Sequence, residues 1–164
     1  MRKELSQKLL RELIRNSKRS DRELAKILGV SQPTLSRIRH KLEKSGKIKD
    51  YTIIPDFREF GFEIMALTFF KMRSGFVTPE GLEKARKHAE NFNDAILAST
   101  GEGMGMTGVI ISFHQDMTDY HRHLNVLRSY WKEFLVEIQT FVIPVGEEEI
   151  KSFSLKYLAD YVPL

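Results

Sequence analysis

The sequence predicts an α+β protein with a short helical N-terminal domain and a longer sheet domain. Apolar residues recur at helical spacing in the first third of the chain, and the later part alternates β-branched stretches with two helical ones in the order β-α-β-β-α-β. A stretch with one proline and one glycine separates the two patterns. We therefore predict a helical domain over 1–50, a linker over 51–61, and a sheet domain over 62–164.

Charge divides the chain at the same place. Residues 1–51 carry 15 Lys/Arg and 6 Asp/Glu, a balance of +9, whereas residues 52–164 carry 11 and 16, a balance of −5. Only the first part suits a polyanion such as nucleic acid. The absence of cysteine excludes disulfides, thiolate metal sites and cysteine nucleophiles. No apolar run approaches the ~20 residues of a membrane span, and no signal peptide is recognisable, so we expect a soluble cytoplasmic protein.

The N-terminal third predicts three helices in close succession. Leucines and one isoleucine at helical spacing predict the first over 3–16. Ser20 and Glu23 form a capping-box pattern that begins the second, and Gly29 ends it. Ser31 is expected to cap the third helix with its side chain, because its hydroxyl can accept a hydrogen bond from a free backbone N–H.

The third predicted helix, residues 31–44, has one apolar and one cationic side, and Gly46 is expected to end it. Its apolar stripe consists of Leu35, Ile38 and Leu42. Two short helices joined by a glycine turn, the second one basic on its free face, are typical of a helix-turn-helix. The alternative is an ordinary surface helix with a solvated basic face. The predicted DNA contacts are Gln32, Pro33, Thr34, Ser36, Arg37, Arg39, His40, Lys41 and Lys44.

The sheet domain is predicted as a ferredoxin-like β-α-β-β-α-β unit that follows a strand over 47–55, which could form a wing, and a hinge at 56–61. Its strands are expected over 63–72, 94–100, 107–114 and 135–145, and its helices over 79–91 and 117–131. Gly146 and the run Glu147–Glu149 end the unit. A further C-terminal segment, 152–158, is expected to be an edge strand or an arm to a partner.

A glycine-rich connection between the second and third predicted strands is a candidate ligand site. Closely spaced glycine N–H groups can hold a small anion or a carboxylate, although a plain hairpin connection is the alternative. Its spacing fits neither a dinucleotide fingerprint nor a phosphate loop. The residues of this candidate site are Ser99, Thr100, Gly101, Gly103, Met104, Gly105 and Thr107.

Histidines and aspartates crowd into one stretch, which raises the question of a metal. The group consists of His114, Asp116, Asp119, His121 and His123. His121 and His123 are two residues apart on a predicted helix and point about 200° apart, and Asp119 fits a helix cap or first-turn acid. We therefore predict no metal site, no cofactor and no enzyme, because no catalytic constellation is found. A metal-dependent enzyme or metal sensor using this cluster is the alternative function.

The sheet is also expected to pair with another copy of the chain. Helices on one face leave the other face of a strongly apolar sheet to be covered, which predicts at least a homodimer. The candidate residues for that face are Phe69, Phe113 and Phe141.

The chain resembles the Lrp/AsnC family of transcriptional regulators over nearly its whole length. The helix-turn-helix frame of Ser31, Leu35, Leu42 and Gly46 carries the resemblance first. A family-like junction follows, with Ile48, Tyr51, Thr52, Ile54 and Gly61, then the β-α-β-β-α-β module and a C-terminal segment that ends in Pro163-Leu164.

The resemblance implies a sequence-specific double-stranded DNA-binding regulator that forms dimers or higher oligomers and responds to a small effector such as an amino acid. Two positions depart from the family. Ile38 stands where the family commonly has arginine, with the basic residues moved to Arg37 and Arg39. The glycine connection also lacks the aromatic residue that often follows its first glycine in the family.

Overall fold

The computed structural model describes residues 2–146 and 150–162. The chain divides into two compact units. The first is Met1–Ile54 together with Ile150–Leu164, and the second is Pro55–Glu149. The predicted break at Glu147–Glu149 and the terminal Pro163-Leu164 lie outside the described residues. Within the described part, no helix has the length and apolar character needed to span a membrane.

The first unit contains the three predicted helices. They are α1 (Arg2–Arg15), α2 (Asp21–Leu28) and α3 (Gln32–Lys44). The predicted capping box is confirmed, since Ser20 accepts from the N–H of Glu23 and the carboxylate of Glu23 accepts from the N–H of Ser20. Gly29 and Gly46 have φ of 67° and 68° at the ends of α2 and α3, a backbone conformation that glycine adopts without steric cost.

The apolar stripes of the three helices meet in one core. Leu9 of α1, Leu24 of α2 and Leu35 of α3 are completely buried, and Leu42 is nearly so. Fully burying such a side chain contributes about 1.5–3 kcal/mol, so packing rather than helix propensity holds α3 in place. Leu35 and Leu42 lie on the predicted stripe, which leaves the opposite side of α3 free.

The C-terminal segment belongs to this first unit, not to the sheet unit, and it is not a strand. Residues Leu155–Tyr161 form a 3₁₀ helix that packs against α1. Ala159 is fully buried there, and Arg11 donates from Nε to the carbonyl oxygen of Ala159 at 3.0 Å. Asp160 forms an ion pair with Arg15. The predicted edge strand over 152–158 is therefore wrong, because the second half of this segment belongs to the 3₁₀ helix that packs against α1.

The predicted strand over 47–55 is not formed either. The segment has no regular secondary structure, and no strand pairs with it in the described chain. Ile48 packs on the core of the first unit, whereas Ile53 is 79% exposed. Alternation and β-branched residues favour an extended backbone. A β-strand also requires a neighbouring strand as hydrogen-bonding partner, and the local sequence does not show whether one is present.

The second unit has the predicted β-α-β-β-α-β order. Its elements are β1 (Ile64–Met72), α4 (Pro79–Ala89), β2 (Ala95–Gly103), β3 (Met106–His114), α5 (Met117–Trp131) and β4 (Leu135–Pro144). All neighbouring strands are antiparallel in the order β2-β3-β1-β4. Thr78 and Asp116 cap the two helices with their side chains. A short 3₁₀ helix, Phe57–Phe60, precedes β1.

The two faces of the sheet differ. One face packs against an apolar core that includes Tyr120, Leu127 and Trp131 of α5. On the other face, one residue from each strand lines up across the register: Leu97, Ile111, Leu67 and Phe141. We call these four residues the apolar row.

Two phenylalanines predicted for the uncovered face have different environments. Phe141 is 64% exposed. Phe113, by contrast, is buried, and its ring stacks on Phe57 with centroids 4.3 Å apart. Phe113 is thus covered within its own chain. Phe69, the third candidate, is partly buried.

The glycine-rich connection is a tight hairpin, shorter than predicted. Strand β2 continues to Gly103, which pairs with Met106, so only Met104 and Gly105 make the turn. Both have positive φ, 51° and 73°. This is the pattern of the two-residue turn whose twist matches the flanking strands. Glycines that suggested a loop therefore lie mostly within a strand.

Candidate nucleic-acid interface

The free side of α3 carries a set of exposed basic side chains. Arg37, His40, Lys41 and Lys44 are all exposed, while Leu35 and Leu42 on the other side are buried. Arg37 donates from Nε to the carbonyl oxygen of Pro33 at 3.2 Å, which holds its guanidinium over the first turn of the helix. Gln32 and Pro33 are exposed at the same end, and Thr34 is half-buried. These residues can approach a groove of DNA together.

Two predicted contact residues instead help to join α3 to α2. The hydroxyl of Ser36 donates to Oδ2 of Asp21, and the guanidinium Nε of Arg39 lies 2.8 Å from Oδ1 of the same carboxylate. Arg39 is only 19% exposed in its side chain, and its guanidinium lies 6.0 Å from the centre of the Tyr51 ring. Asp21 therefore fixes the second helix of the motif against the first.

The N-terminus of α3 has no side-chain cap. Ser31 has the extended backbone of an N-cap residue, but its hydroxyl pairs with the hydroxyl of Thr34 at 2.9 Å and not with a backbone N–H. The expected side-chain cap by Ser31 is therefore wrong. An uncapped helix N-terminus leaves backbone N–H groups and a partial positive charge available to an anion.

The candidate ligand residues of the β2–β3 hairpin do not form one enclosed site. Thr107 donates its hydroxyl to the carbonyl oxygen of Phe70 and accepts from the N–H of Met72, so it is engaged within the sheet. Met106 is buried, whereas Met104 is 73% exposed. The remaining residues of the set are exposed: Ser99, Thr100, Gly101, Gly103 and Gly105. Ser99 donates to the carbonyl oxygen of Thr100.

The structure also separates the histidine and aspartate candidates. Asp116 is the N-cap of α5 and accepts from the N–H of Asp119, as expected for residues at a helix start. His121 is exposed and His123 is buried, which confirms their opposite directions. His114 is fully buried and lies close to His123, with ring centroids 5.0 Å apart.

Asp94 joins these two histidines. Its Oδ2 lies 2.6 Å from Nδ1 of His123 and 3.7 Å from Nδ1 of His114. Burial opposes ionisation of Asp94, but the hydrogen bond with His123 and the two neighbouring imidazoles lower its pKa on balance. For His114, burial and the nearby His123 lower the pKa, against the pull of the Asp94 and Asp119 carboxylates.

Sequence reasoning missed two residues. Asp21 lies in the first turn of α2, and an acid at that place can reach the following helix of the motif. Asp94 was placed at the beginning of a strand, and nothing local connects it with histidines 20 and 29 positions later. Only the antiparallel pairing of β2 with β3 brings it to them.

The comparisons with known proteins agree with this geometry. Residues 2–49 match the family model described as winged helix-turn-helix DNA-binding. The chain is 28% identical to the regulatory protein AsnC of Haemophilus influenzae over 136 residues, 83% of this chain and 85% of that protein. It is 32% identical over 72 residues to the HTH-type transcriptional regulator FL11 of Pyrococcus horikoshii, covering 44% of this chain and 48%, or about half, of FL11.

A solved structure extends the likeness to both units. The transcriptional regulator NMB0573 of Neisseria meningitidis, determined in complex with L-methionine, superimposes with a TM-score of 0.73. The match covers 94% of this chain and 97% of that one at 17% identity, which establishes a common fold.

The first unit is therefore a helix-turn-helix DNA-binding domain, and the chain as a whole shares its fold with that solved structure. The predicted resemblance to the Lrp/AsnC transcriptional regulators is confirmed: the chain is similar to the AsnC regulatory protein over 83% of its length, and residues 2–49 match the winged helix-turn-helix model.

Proposed function

We propose that this protein is a cytoplasmic, homo-oligomeric transcriptional regulator, not an enzyme, that binds specific double-stranded DNA sites through α3. One observation carries the proposal. Three exposed cationic side chains, Arg37, Lys41 and Lys44, and the exposed His40 lie on the side of α3 that the core leaves free, within the matched helix-turn-helix. A helix of about 10 Å diameter with such a face fits the major groove of DNA.

The cations of α3 divide into two roles. Arg37 is held near the first turn of the helix, where helix-turn-helix proteins contact base edges, and we assign it to direct base recognition. Lys41 and Lys44 lie toward the last turn and are assigned to phosphates, which position the protein without carrying sequence information. Arg39 and Ser36 act indirectly, by orienting α3 through Asp21.

The experiment compares two alanine variants on two DNAs, one selected from a random library for tight binding and one of random sequence. Arg37→Ala should lose about 1–3 kcal/mol on the selected site and little on random DNA. Lys44→Ala should weaken both and reduce the slope of log K against log salt by about 0.9. Arg128→Ala, an exposed cation of α5, is the matched control. Equal losses of Arg37→Ala on both DNAs would make Arg37 a phosphate contact.

Homodimerisation through the apolar row supports this function, since two copies bring two α3 helices to one DNA site. Phe141 and Leu97 of the row are 64% and 45% exposed, and such a contiguous apolar stretch favours burial against a second copy. Phe141→Lys should convert the dimer to monomer in sedimentation velocity. Val126→Lys, at an exposed apolar position of α5, is the control and should leave the dimer intact.

An amino-acid effector is proposed at the exposed edge of the β2–β3 hairpin. It rests on the L-methionine complex of NMB0573 and on the exposed Ser99, Thr100 and Gly101 of β2. A thermal-shift screen of amino acids should find one that stabilises the protein. Gly103→Val is the informative variant, because a Cβ there meets open space. Gly105→Val is less informative, because Gly105 has a positive φ that valine would adopt only with backbone strain, and the loss of stability could be mistaken for a loss of ligand binding. An unchanged response of Gly103→Val would place the ligand elsewhere.

A further inference from the structure

The buried histidine pair of the second unit lies where three elements meet. Asp94 precedes β2, His114 ends β3, and His123 lies on α5. One ligand atom from each of the three lies within 4.8 Å of the others. A fourth group, the Asp119 carboxylate, has its Oδ2 3.6 Å from Nδ1 of His114. We call these four residues the histidine-aspartate cluster.

His114 has a nitrogen that its protein neighbours do not satisfy. Its Nε2 lies 2.8 Å from the hydroxyl of Ser112, but its buried Nδ1 has no hydrogen-bond partner among the described residues, and the whole residue has no exposed surface. A buried unpaired polar atom costs about 1–3 kcal/mol. Nδ1 faces two carboxylate oxygens, of Asp94 and Asp119, at 3.7 and 3.6 Å.

Those distances are too long for hydrogen bonds and suit a shared ion. Ligands about 2.0–2.1 Å from a tetrahedral ion lie about 3.3 Å from one another. The contact between Asp94 Oδ2 and His123 Nδ1 is shorter, 2.6 Å, and is a direct hydrogen bond. A bound ion would lengthen the distance between Asp94 Oδ2 and His123 Nδ1, and each of these two atoms would then bind the metal in place of their hydrogen bond.

The surroundings of His114 match those of a metal ligand. When Nε2–H donates to Ser112, the lone pair of the imidazole is on Nδ1, the atom that faces the carboxylates. The side chains of Asp94 and Asp119 are 30% and 32% exposed, so an ion can reach the cluster from solvent past the acids, while the two histidines close its inner side.

We propose that Asp94, His114 and His123, with Asp119 as the fourth ligand, bind one divalent transition-metal ion of the zinc type in each chain. Two imidazole nitrogens and two carboxylate oxygens are a donor set for Zn²⁺ and its first-row neighbours, whereas Mg²⁺ and Ca²⁺ prefer oxygen alone. The site is independent of α3 and of the β2–β3 hairpin.

The test measures metal binding to the full-length protein after treatment with EDTA. Equilibrium dialysis against Zn²⁺ should give one tightly bound ion per chain, and Co²⁺ should give the visible absorption of a tetrahedral site. Mg²⁺ at the same concentration should not compete. Asp94→Asn and His123→Gln should each weaken Zn²⁺ by more than the 10–100-fold typical of an outer-shell change.

Two further variants refine the assignment. Ser112→Ala should weaken Zn²⁺ by about 10–100-fold through the orientation of His114, without changing the Co²⁺ geometry. His121→Ala removes an exposed histidine of the same helix and should leave the affinity unchanged. Circular dichroism and DNA binding by α3 verify that each variant is folded.

Two results would overturn the proposal. One is that the EDTA-treated protein binds no stoichiometric Zn²⁺. The other is that Asp94→Asn and Asp119→Asn, both at partly exposed positions where folding is least at risk, bind Zn²⁺ as the wild type does. The cluster would then be only a hydrogen-bonded link between α5 and the sheet.

Discussion

The two units use their polar side chains in opposite ways. In the first, the cations of α3 point to solvent and the core below them is entirely aliphatic. In the second, imidazoles and a hydroxyl, those of His114, His123 and Ser112, are buried beside an aromatic core. In the first unit, therefore, the residues proposed to bind DNA are not the residues that stabilise the fold. In the second unit, buried polar groups contribute to the stability of the fold.

The largest difference in stability is expected between a substitution in the core beneath α3 and one on its free side. Leu35→Ala removes a fully buried side chain and should lower the free energy of unfolding by about 2–5 kcal/mol, from lost burial and the cavity left behind. Urea denaturation measures this. The matched change on the free side, Lys44→Ala, should stay within about 0.5 kcal/mol. A comparable loss for Lys44→Ala would show that the cationic side also stabilises the unit.

The next largest effect is expected within the histidine-aspartate cluster. His123→Ala leaves the carboxylate of Asp94 without its 2.6 Å hydrogen bond, and should cost about 1–3 kcal/mol in urea denaturation. The measurement is made in EDTA, so that bound metal does not contribute. His121→Ala, two residues earlier on the same helix, should cost less than about 0.5 kcal/mol because His121 is exposed.

Asp21 is the exception in the first unit, because its polar contacts are expected to contribute to stability as those of the second unit do. Its carboxylate joins Ser36 and Arg39, which are partly buried, so Asp21→Ala should cost about 1–2 kcal/mol of stability. It should also weaken DNA binding through the orientation of α3. Full stability of Asp21→Ala in thermal unfolding would show that the aliphatic core alone positions α3.

The smallest effect concerns pH. His88 is buried against Tyr130, with ring centroids 3.3 Å apart, and burial lowers its pKa. The unfolded chain therefore takes up a proton at higher pH than the folded one. The stability that His88 contributes is complete above its ordinary pKa of about 6.5 and is lost as the pH falls through the lowered value. His88→Phe should reduce this loss in unfolding curves measured between neutral and acidic pH. An unchanged pH dependence would assign it to other groups.

The same contrast explains what could be predicted from the sequence. The helices of the first unit and the β-α-β-β-α-β order follow from periodicity and caps, which are local properties, and Ser20 with Glu23 is an example. Leu35 and Leu42 also fell on the predicted buried stripe.

What could not be predicted depends on contacts between distant residues. The helical wheel placed Ser36 and Arg39 among the DNA contacts, because it cannot show that Asp21 reaches them. Asp94 meets His114 and His123 only through the pairing of β2 with β3. Strands outside the sheet unit are the weakest case: alternation predicts one over 47–55, and 152–158 is predicted as an edge strand or an arm, but no partner strand exists for either segment in the described chain.

The return of the C-terminal 3₁₀ helix to α1 sets an order of events during protein synthesis. The ribosome makes Arg11 and Arg15 early, but their partners Ala159 and Asp160 follow only after all of Pro55–Glu149. At about 5–20 residues per second, this delay is on the order of ten seconds. A nascent chain thus cannot complete its DNA-binding unit before the sheet unit has emerged.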